Sequence, residues 1–127
     1  MNEGKKVVLI VDDSKSLRAQ LMAMLEKLGF EVRSTFNEES MNENIEIDGI
    51  RADVILMDLM LGDANGLDLV SKLNNNDNHK NIPIIVLTEH ATMDYINRAK
   101  DLKVNEYLLK PLNISKLKER LDRTLKK

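Results

Sequence analysis

Five short strand-like runs recur along the chain, and stretches with helical apolar spacing separate them. Val7-Val8-Leu9-Ile10-Val11 is continuously apolar, as a strand buried on both faces should be. Leu17, Leu21, Met24, Leu25 and Leu28 then repeat at helical spacing, with Ser14 as a plausible N-cap and Gly29 as a C-terminal stop. Glu31 to Thr35 reads as a second strand. Residues 38–49 are assigned to a helix because Met41 and Ile45 share a face, although Ile45-Glu46-Ile47 also alternates like a strand. Val54 to Met57 is a third buried strand, and Gly62 and Asn65-Gly66 mark the loop after it. Leu67, Leu69, Val70 and Leu73 predict a short helix that leaves through the polar run Asn74-Asn75-Asn76-Asp77-Asn78. Pro83 opens a fourth strand, residues 91–102 form a fourth helix on Met93, Ile96, Ala99 and Leu102, and Glu106 to Leu109 is a fifth strand. Ile114, Leu117, Leu121 and Leu125 give the last helix an apolar stripe.

This alternation predicts an α/β fold. Five βα units demand a parallel sheet with right-handed crossovers and helices on both faces. The leading order for a five-stranded doubly wound sheet is 2-1-3-4-5, the flavodoxin-like arrangement. No repeat or linker divides the chain, and 127 residues suit a single domain spanning 1–127.

Composition narrows the chemistry. The chain is 43% hydrophobic and 31% charged, with no Trp and only two Phe and two Tyr, so Leu, Ile, Val and Met must build the core. Met22, Met24 and Met57 read as core filler. The absence of Cys excludes disulfides, zinc–thiolate sites and a thiol nucleophile. No apolar run approaches the roughly 20 residues of a membrane span, and no secretory signal opens the chain, so a cytoplasmic protein is expected. From Arg98 onward there are ten basic and four acidic residues; before it there are nine basic and seventeen acidic. A basic stripe with stacking aromatics is missing, so neither nucleic acid nor membrane is an expected partner. His79 and His90 have no metal-pair spacing.

The strand ends carry the candidate chemistry. The first strand runs into Asp12-Asp13, the third into Asp58, the fourth into Thr88 and the fifth into Lys110-Pro111. In a parallel sheet these residues meet at the carboxyl edge, where open α/β sheets bind ligands. Taken singly, each has an ordinary explanation: helix-start Asp, solvent-facing strand-end Asp or Lys, strand-favouring Thr. Taken together they describe a phosphate site that needs a cation. Adjacent carboxylates on a dry edge call for a positive ion, and Mg²⁺ prefers hard oxygen ligands. Asp58 would be the nucleophile that attacks phosphorus, Thr88 a donor to a phosphoryl oxygen, and Lys110 a counter-charge for Asp58 and then for phosphate. Three carboxylates balance one Mg²⁺ and one Lys, so a phosphoryl group of about −1.5 to −2 upsets the balance.

With these residues in order, the sequence resembles the response-regulator receiver domain of two-component signalling, of the chemotaxis, single-domain type. The match comprises Asp12-Asp13, Asp58 within Met57-Asp58-Leu59-Met60, Gly66, Thr88, Tyr107 and Lys110-Pro111. The resemblance implies transfer of a phosphoryl group to Asp58 from the phosphohistidine of a sensor histidine kinase or phosphotransfer protein, with Mg²⁺ or Mn²⁺ as cofactor. It implies that Asp13, Asp58 and the backbone carbonyl of Met60 hold the metal, with Asp12 acting largely through water. It further implies a cis Lys110-Pro111 bond and a coupled switch of Thr88 and Tyr107. That switch would alter the surface of the fourth helix, fifth strand and fifth helix (α4-β5-α5), for a downstream target or a self-dimer. Self-phosphorylation and autodephosphorylation at Asp58 would then be the only catalysis.

The sequence departs from the family in three places. Gly62 stands where Pro is common, Glu89 where the residue after the switch Thr is small, and Lys103 where Gly often ends the fourth helix. Met60, Glu89 and His90 occupy lifetime-tuning positions, so an altered phosphoryl lifetime is expected. The competing function is a stand-alone aspartyl-nucleophile phosphohydrolase, but Met60 occupies the place of that class's second Asp. An FMN-binding flavodoxin-like protein would need a Ser/Thr/Gly phosphate loop where this chain has Asp12-Asp13.

Overall fold

The computed structural model describes residues 4–61, 64–89, 93–102 and 104–125. Its elements are β1 (Val7–Val11), α1 (Lys15–Lys27), β2 (Glu31–Thr35), α2 (Glu38–Asn44), β3 (Val54–Asp58), α3 (Gly66–Asn74), β4 (Ile84–Thr88), α4 (Met93–Asp101), β5 (Glu106–Leu109) and α5 (Ile114–Leu125). The five strands pair in parallel in the order β2-β1-β3-β4-β5. This is the predicted doubly wound sheet.

Alternate residues of the buried strands serve opposite faces. Val7, Leu9, Val11, Ile55, Met57, Ile84 and Val86 meet Met41, Ile45, Leu67, Val70 and Leu73. Val8, Ile10, Val54, Leu56, Ile85, Leu87 and Leu108 meet Leu21 and Leu25 of α1 and Leu117 and Leu121 of α5. Of the three methionines assigned to the core, Met57 is fully buried and Met24 packs against the second cluster, whereas Met22 is half-buried and belongs to neither.

Local signals place the elements. The Ser14 hydroxyl accepts from Leu17 N at 3.2 Å and caps α1, and Gly29 takes φ 93° just after it. Asn37 and Ser40 form a reciprocal capping box on α2. Asn65 Oδ1 accepts from Leu67 N at 2.8 Å and caps α3.

The helix expected over 38–49 stops at Asn44. Glu46–Ile47 instead pairs antiparallel with Ile50–Arg51, and Asp48 (φ 52°) and Gly49 (φ 79°) turn the corner. An Asp-Gly pair with both φ positive is the favoured two-residue hairpin turn, and it overrode the weak helical spacing. Arg33, buried on β2, pins this segment: its guanidinium donates to the carbonyls of Asn44, Ile45 and Ile50 at 2.9, 3.1 and 2.8 Å. A second two-residue ladder pairs Met60–Leu61 with Ala64–Asn65. The expectations for Gly62, His90 and Lys103, and for the side chains of Met60, Met93 and Ile96, lie outside the described residues.

Candidate acidic phosphoacceptor site

Parallel pairing brings the carboxyl ends of β1, β3, β4 and β5 to one edge, and Asp12, Asp13, Asp58, Thr88 and Lys110 stand on it. The carboxylates of Asp12, Asp13 and Asp58 each offer an oxygen within 4.8 Å of the others. Asp12 is fully buried and Asp58 is 4% exposed, whereas Asp13 is exposed. Lys110 Nζ lies 3.2 Å from Asp58 Oδ1 and 3.9 Å from Asp12 Oδ2. Thr88 ends β4 as a buried residue, and its carbonyl accepts from Lys110 N at 2.8 Å. The Lys110–Pro111 peptide is cis.

Asp12 shows the strain of the cluster. Its Oδ1 accepts from Ser14 N at 2.8 Å, but its buried Oδ2 has no hydrogen-bond partner. Burial, the largest cause, pushes its pKa from 3.8 up to about 6. The hydrogen bond from Ser14 and the charge of Lys110 oppose that rise, while Asp58 and Asp13 reinforce it. A buried carboxylate oxygen without a donor, beside two further carboxylates, fits a hard divalent cation. These residues therefore suit the expected metal.

Gly66 makes the Asp58 backbone position possible. Its N–H donates to Leu59 O at 2.9 Å, and a Cβ there would overlap the Asp58 carbonyl oxygen. Sequence reasoning missed one participant. Arg18 Nη1 donates to Asp12 O at 2.8 Å, and its guanidinium lies 5.6 Å from the centroid of the exposed Phe36 ring. Its position one turn beyond the Ser14 cap was the available signal.

Glu89 is exposed at the mouth of the site. It lines an open cleft of about 930 Å³ with Ser14, Leu17, Met24, Lys110 and Leu112. Tyr107 lies on β5 with its side chain 40% exposed.

The comparisons with known proteins agree with this geometry. The family described as the response regulator receiver domain matches residues 8–122. The chain is 34% identical over 117 residues to the chemotaxis protein CheY1 of Helicobacter pylori, covering 91% of this chain and 93% of that one. Chemotaxis protein CheY4 of Vibrio cholerae superposes with a TM-score of 0.88 at 27% identity, covering 96% of this chain and 100% of that one. The receiver domain of the sensor histidine kinase PA1611 of Pseudomonas aeruginosa superposes with a TM-score of 0.85 at 27% identity, over 98% of this chain and 100% of that one. That domain holds a magnesium ion coordinated in its active-site cleft. Among the described residues no helix is long and apolar enough to cross a membrane. The chain belongs to the response regulator receiver domain family of two-component signalling proteins.

Proposed function

We propose that Asp58 is the phosphoacceptor of this receiver, and that its donor is the phosphohistidine of a sensor histidine kinase or phosphotransfer protein. A carboxylate oxygen of Asp58 attacks phosphorus, the N–P bond to the imidazole breaks, and the imidazole nitrogen regains a proton. The observation that carries this assignment is the burial of Asp58 beside an ammonium within the acidic cluster of Asp12 and Asp13. Asp58 is 4% exposed, ends a buried strand, and has Lys110 Nζ 3.2 Å from Oδ1.

Asp13, Asp58 and the Met60 carbonyl would hold Mg²⁺, with Asp12 contributing the buried oxygen that lacks a donor. The ion, once bound, would offset the charge that builds on the phosphoryl oxygens. Lys110 releases Asp58 and pairs with a phosphoryl oxygen, and the Thr88 hydroxyl donates to another. The Thr88 carbonyl is already tied to Lys110 N, so a shift at the end of β4 is passed to β5. Tyr107, exposed here, moves inward, and the surface of α4, β5 and α5 changes for a downstream target or a second receiver. Met60, Glu89 and His90 tune how long the phosphoryl group persists. Transfer to Asp58 and its hydrolysis are the only chemistry of this single domain, and the cytoplasm, where a histidine kinase phosphorylates its partner, is its place of action.

Incubation with a small acyl phosphate, with and without Mg²⁺, tests the assignment by intact mass. One phosphoryl group should add to the wild type only with Mg²⁺, and none to Asp58→Asn. A phosphorylated Asp58→Asn protein would move the acceptor elsewhere.

A further inference from the structure

Among the described residues, four large apolar side chains stand exposed, and they fall at the two ends of the sheet. Phe36 (53%) and Ile47 (39%) flank α2 beside β2, while Tyr107 (40%) and Leu109 (47%) lie on β5. Charge divides along the same line. Residues 38–53 contain six acidic side chains and one basic, whereas the chain from Arg98 onward contains ten basic and four acidic.

The disposition within each edge sharpens the contrast. Glu39 and Glu43 stand one turn apart on the exposed side of α2, and Glu46 and Asp48 are exposed in the hairpin beyond it. None of these four forms an ion pair with a described residue. On α5, Lys116, Arg120 and Arg123 follow the i, i+4, i+7 spacing of one helix side. That side faces β5: Arg120 Nε donates to Tyr107 O at 3.4 Å, and Arg120 pairs with Glu106 and Glu119 and Arg123 with Glu106, so among the described residues Lys116 is the cation of this side without an ion pair. Exposed Arg98 and Lys100 on α4 add two more cations.

The two edges are four strand spacings apart, about 19 Å, so they do not meet within one molecule. We propose that the acidic β2–α2 edge of one copy docks on the basic β5–α5 edge of a second copy, head to tail. Each edge has an apolar pair to bury and a charge that attracts the other edge and repels its own kind. A two-fold dimer would set like charges against each other, whereas the head-to-tail contact pairs opposite ones. Such a contact uses different patches on its two members and leaves one edge of each end copy open. With two large apolar side chains per edge, it belongs among weak, salt-sensitive interfaces. The inference shares the β5–α5 surface with the function proposed above but none of its phosphoryl chemistry. The unphosphorylated chain tests it, so either can fail alone.

Sedimentation velocity on the wild type, up to about 1 mM protein, is the first measurement. Its mean mass should pass twice 14.5 kDa at about 0.02 M salt. Its association should weaken at least tenfold at about 1 M salt. One variant blocks the acidic edge (Glu39→Gln, Glu43→Gln, Glu46→Gln, Ile47→Ser) and another the basic edge (Arg98→Gln, Lys100→Gln, Lys116→Gln, Leu109→Ser). All eight positions lie at the surface, and circular dichroism melts verify folding. Each variant alone should stay monomeric, and an equimolar mixture should stop at a dimer containing one of each. A wild type that stays monomeric throughout overturns the proposal. So does a mixture that fails to associate, or a single variant that still dimerises through its own intact edge.

Discussion

Gly66 leaves no room for a side chain beside Asp58: a Cβ built on it would overlap the Asp58 carbonyl oxygen and come within 2.8 Å of Leu59 Cα. Both obstacles are backbone, so neither can swing aside. Gly66→Ala must push the Asp58–Leu59 segment away from the start of α3. Overpacking of this kind costs about 1–3 kcal/mol. Urea denaturation should show a loss in that range. Phosphoryl uptake by the folded fraction should also slow, because the displaced carbonyl belongs to the proposed acceptor. A loss of stability with an unchanged uptake rate would confine Gly66 to packing.

The Asp12 carboxyl, raised to about 6, makes stability depend on pH with an unusual sign. Most native carboxylates titrate below their unfolded value and lose stability in acid. Asp12 holds its proton more tightly folded than unfolded, so between about 4 and 6 its contribution falls as pH rises. A shift of this size is a penalty of up to about 3 kcal/mol at neutral pH, of which about 1 kcal/mol returns between pH 7 and 5. In chelator, Asp12→Asn should therefore be more stable than wild type at pH 7, with the difference shrinking toward pH 5. Millimolar Mg²⁺ should raise the wild-type Tm more than that of Asp12→Asn, since the ion binds the folded site. Equal stabilities at pH 7 in chelator would show that the Asp12 charge is already satisfied.

Lys110 competes with any cation for the same carboxylates, at 3.2 Å from Asp58 and 3.9 Å from Asp12. Lys110→Met removes that competitor. Mg²⁺ affinity should tighten at least tenfold, about 1.4 kcal/mol, which is less than the roughly 4 kcal/mol between unit charges about 4 Å apart near a protein surface. In chelator the variant should be less stable than wild type, because two buried carboxylates lose their counter-charge. Phosphoryl uptake should slow despite the tighter ion. Titration calorimetry and intact-mass time courses measure the two effects separately, and unchanged Mg²⁺ affinity would place the ion away from Lys110.

Glu89 sets a negative charge on the wall of the cleft that also contains Lys110. An anionic phosphodonor approaching Asp58 meets that charge. Like charges across a solvated cleft repel by roughly 0.5–1 kcal/mol. Glu89→Ala should therefore accept phosphate from a small anionic donor about two- to fivefold faster, with the gain disappearing at high salt. Its dephosphorylation rate should also change, because Glu89 directly follows Thr88 and shares a cleft with Lys110. If neither rate moves, Glu89 has no part in phosphoryl exchange.

The strand and helix order was legible because strands buried on both faces read as unbroken apolar runs, and the helices between them kept their stripes. Val54-Ile55-Leu56-Met57 and Ile84-Ile85-Val86-Leu87 admit few other assignments. The candidate site was legible for a topological reason: parallel strands bring the residues after them to one edge, so Asp12, Asp58, Thr88 and Lys110 meet without knowledge of any contact. The unequal burial of Asp12 and Asp13, by contrast, depends on which neighbour turns inward, and adjacent identical letters do not carry that. The hairpin at Ile47–Ile50 was misassigned because apolar spacing outweighed the Asp48-Gly49 turn signal. Arg33 was passed over because nothing near it in sequence announces three carbonyls that approach from 11 to 17 residues away.

Arg33 should matter to the fold and not to the chemistry. It lies in the interior of β2 and spends its guanidinium on the carbonyls of Asn44, Ile45 and Ile50, which closes the end of α2 and ties the hairpin to the sheet. A positive group is well placed at a helix C-terminus, where the last carbonyls lack partners. Arg33→Met keeps much of the side chain's apolar bulk and removes every donor. Each buried carbonyl left without a partner costs about 1–3 kcal/mol, and water reaching the hairpin will recover part of that, so a loss of about 2–4 kcal/mol is expected by urea denaturation. Hydrogen exchange should accelerate in residues 41–51 while β3 and β4 keep their protection relative to global stability. Phosphoryl uptake per folded molecule should match wild type, since no part of this cluster touches Asp12, Asp58 or Lys110. A slower uptake at equal folded fraction would mean that the β2 edge and the acidic site are coupled through β1, which pairs with β2 from Val7 to Val11 and ends at Asp12.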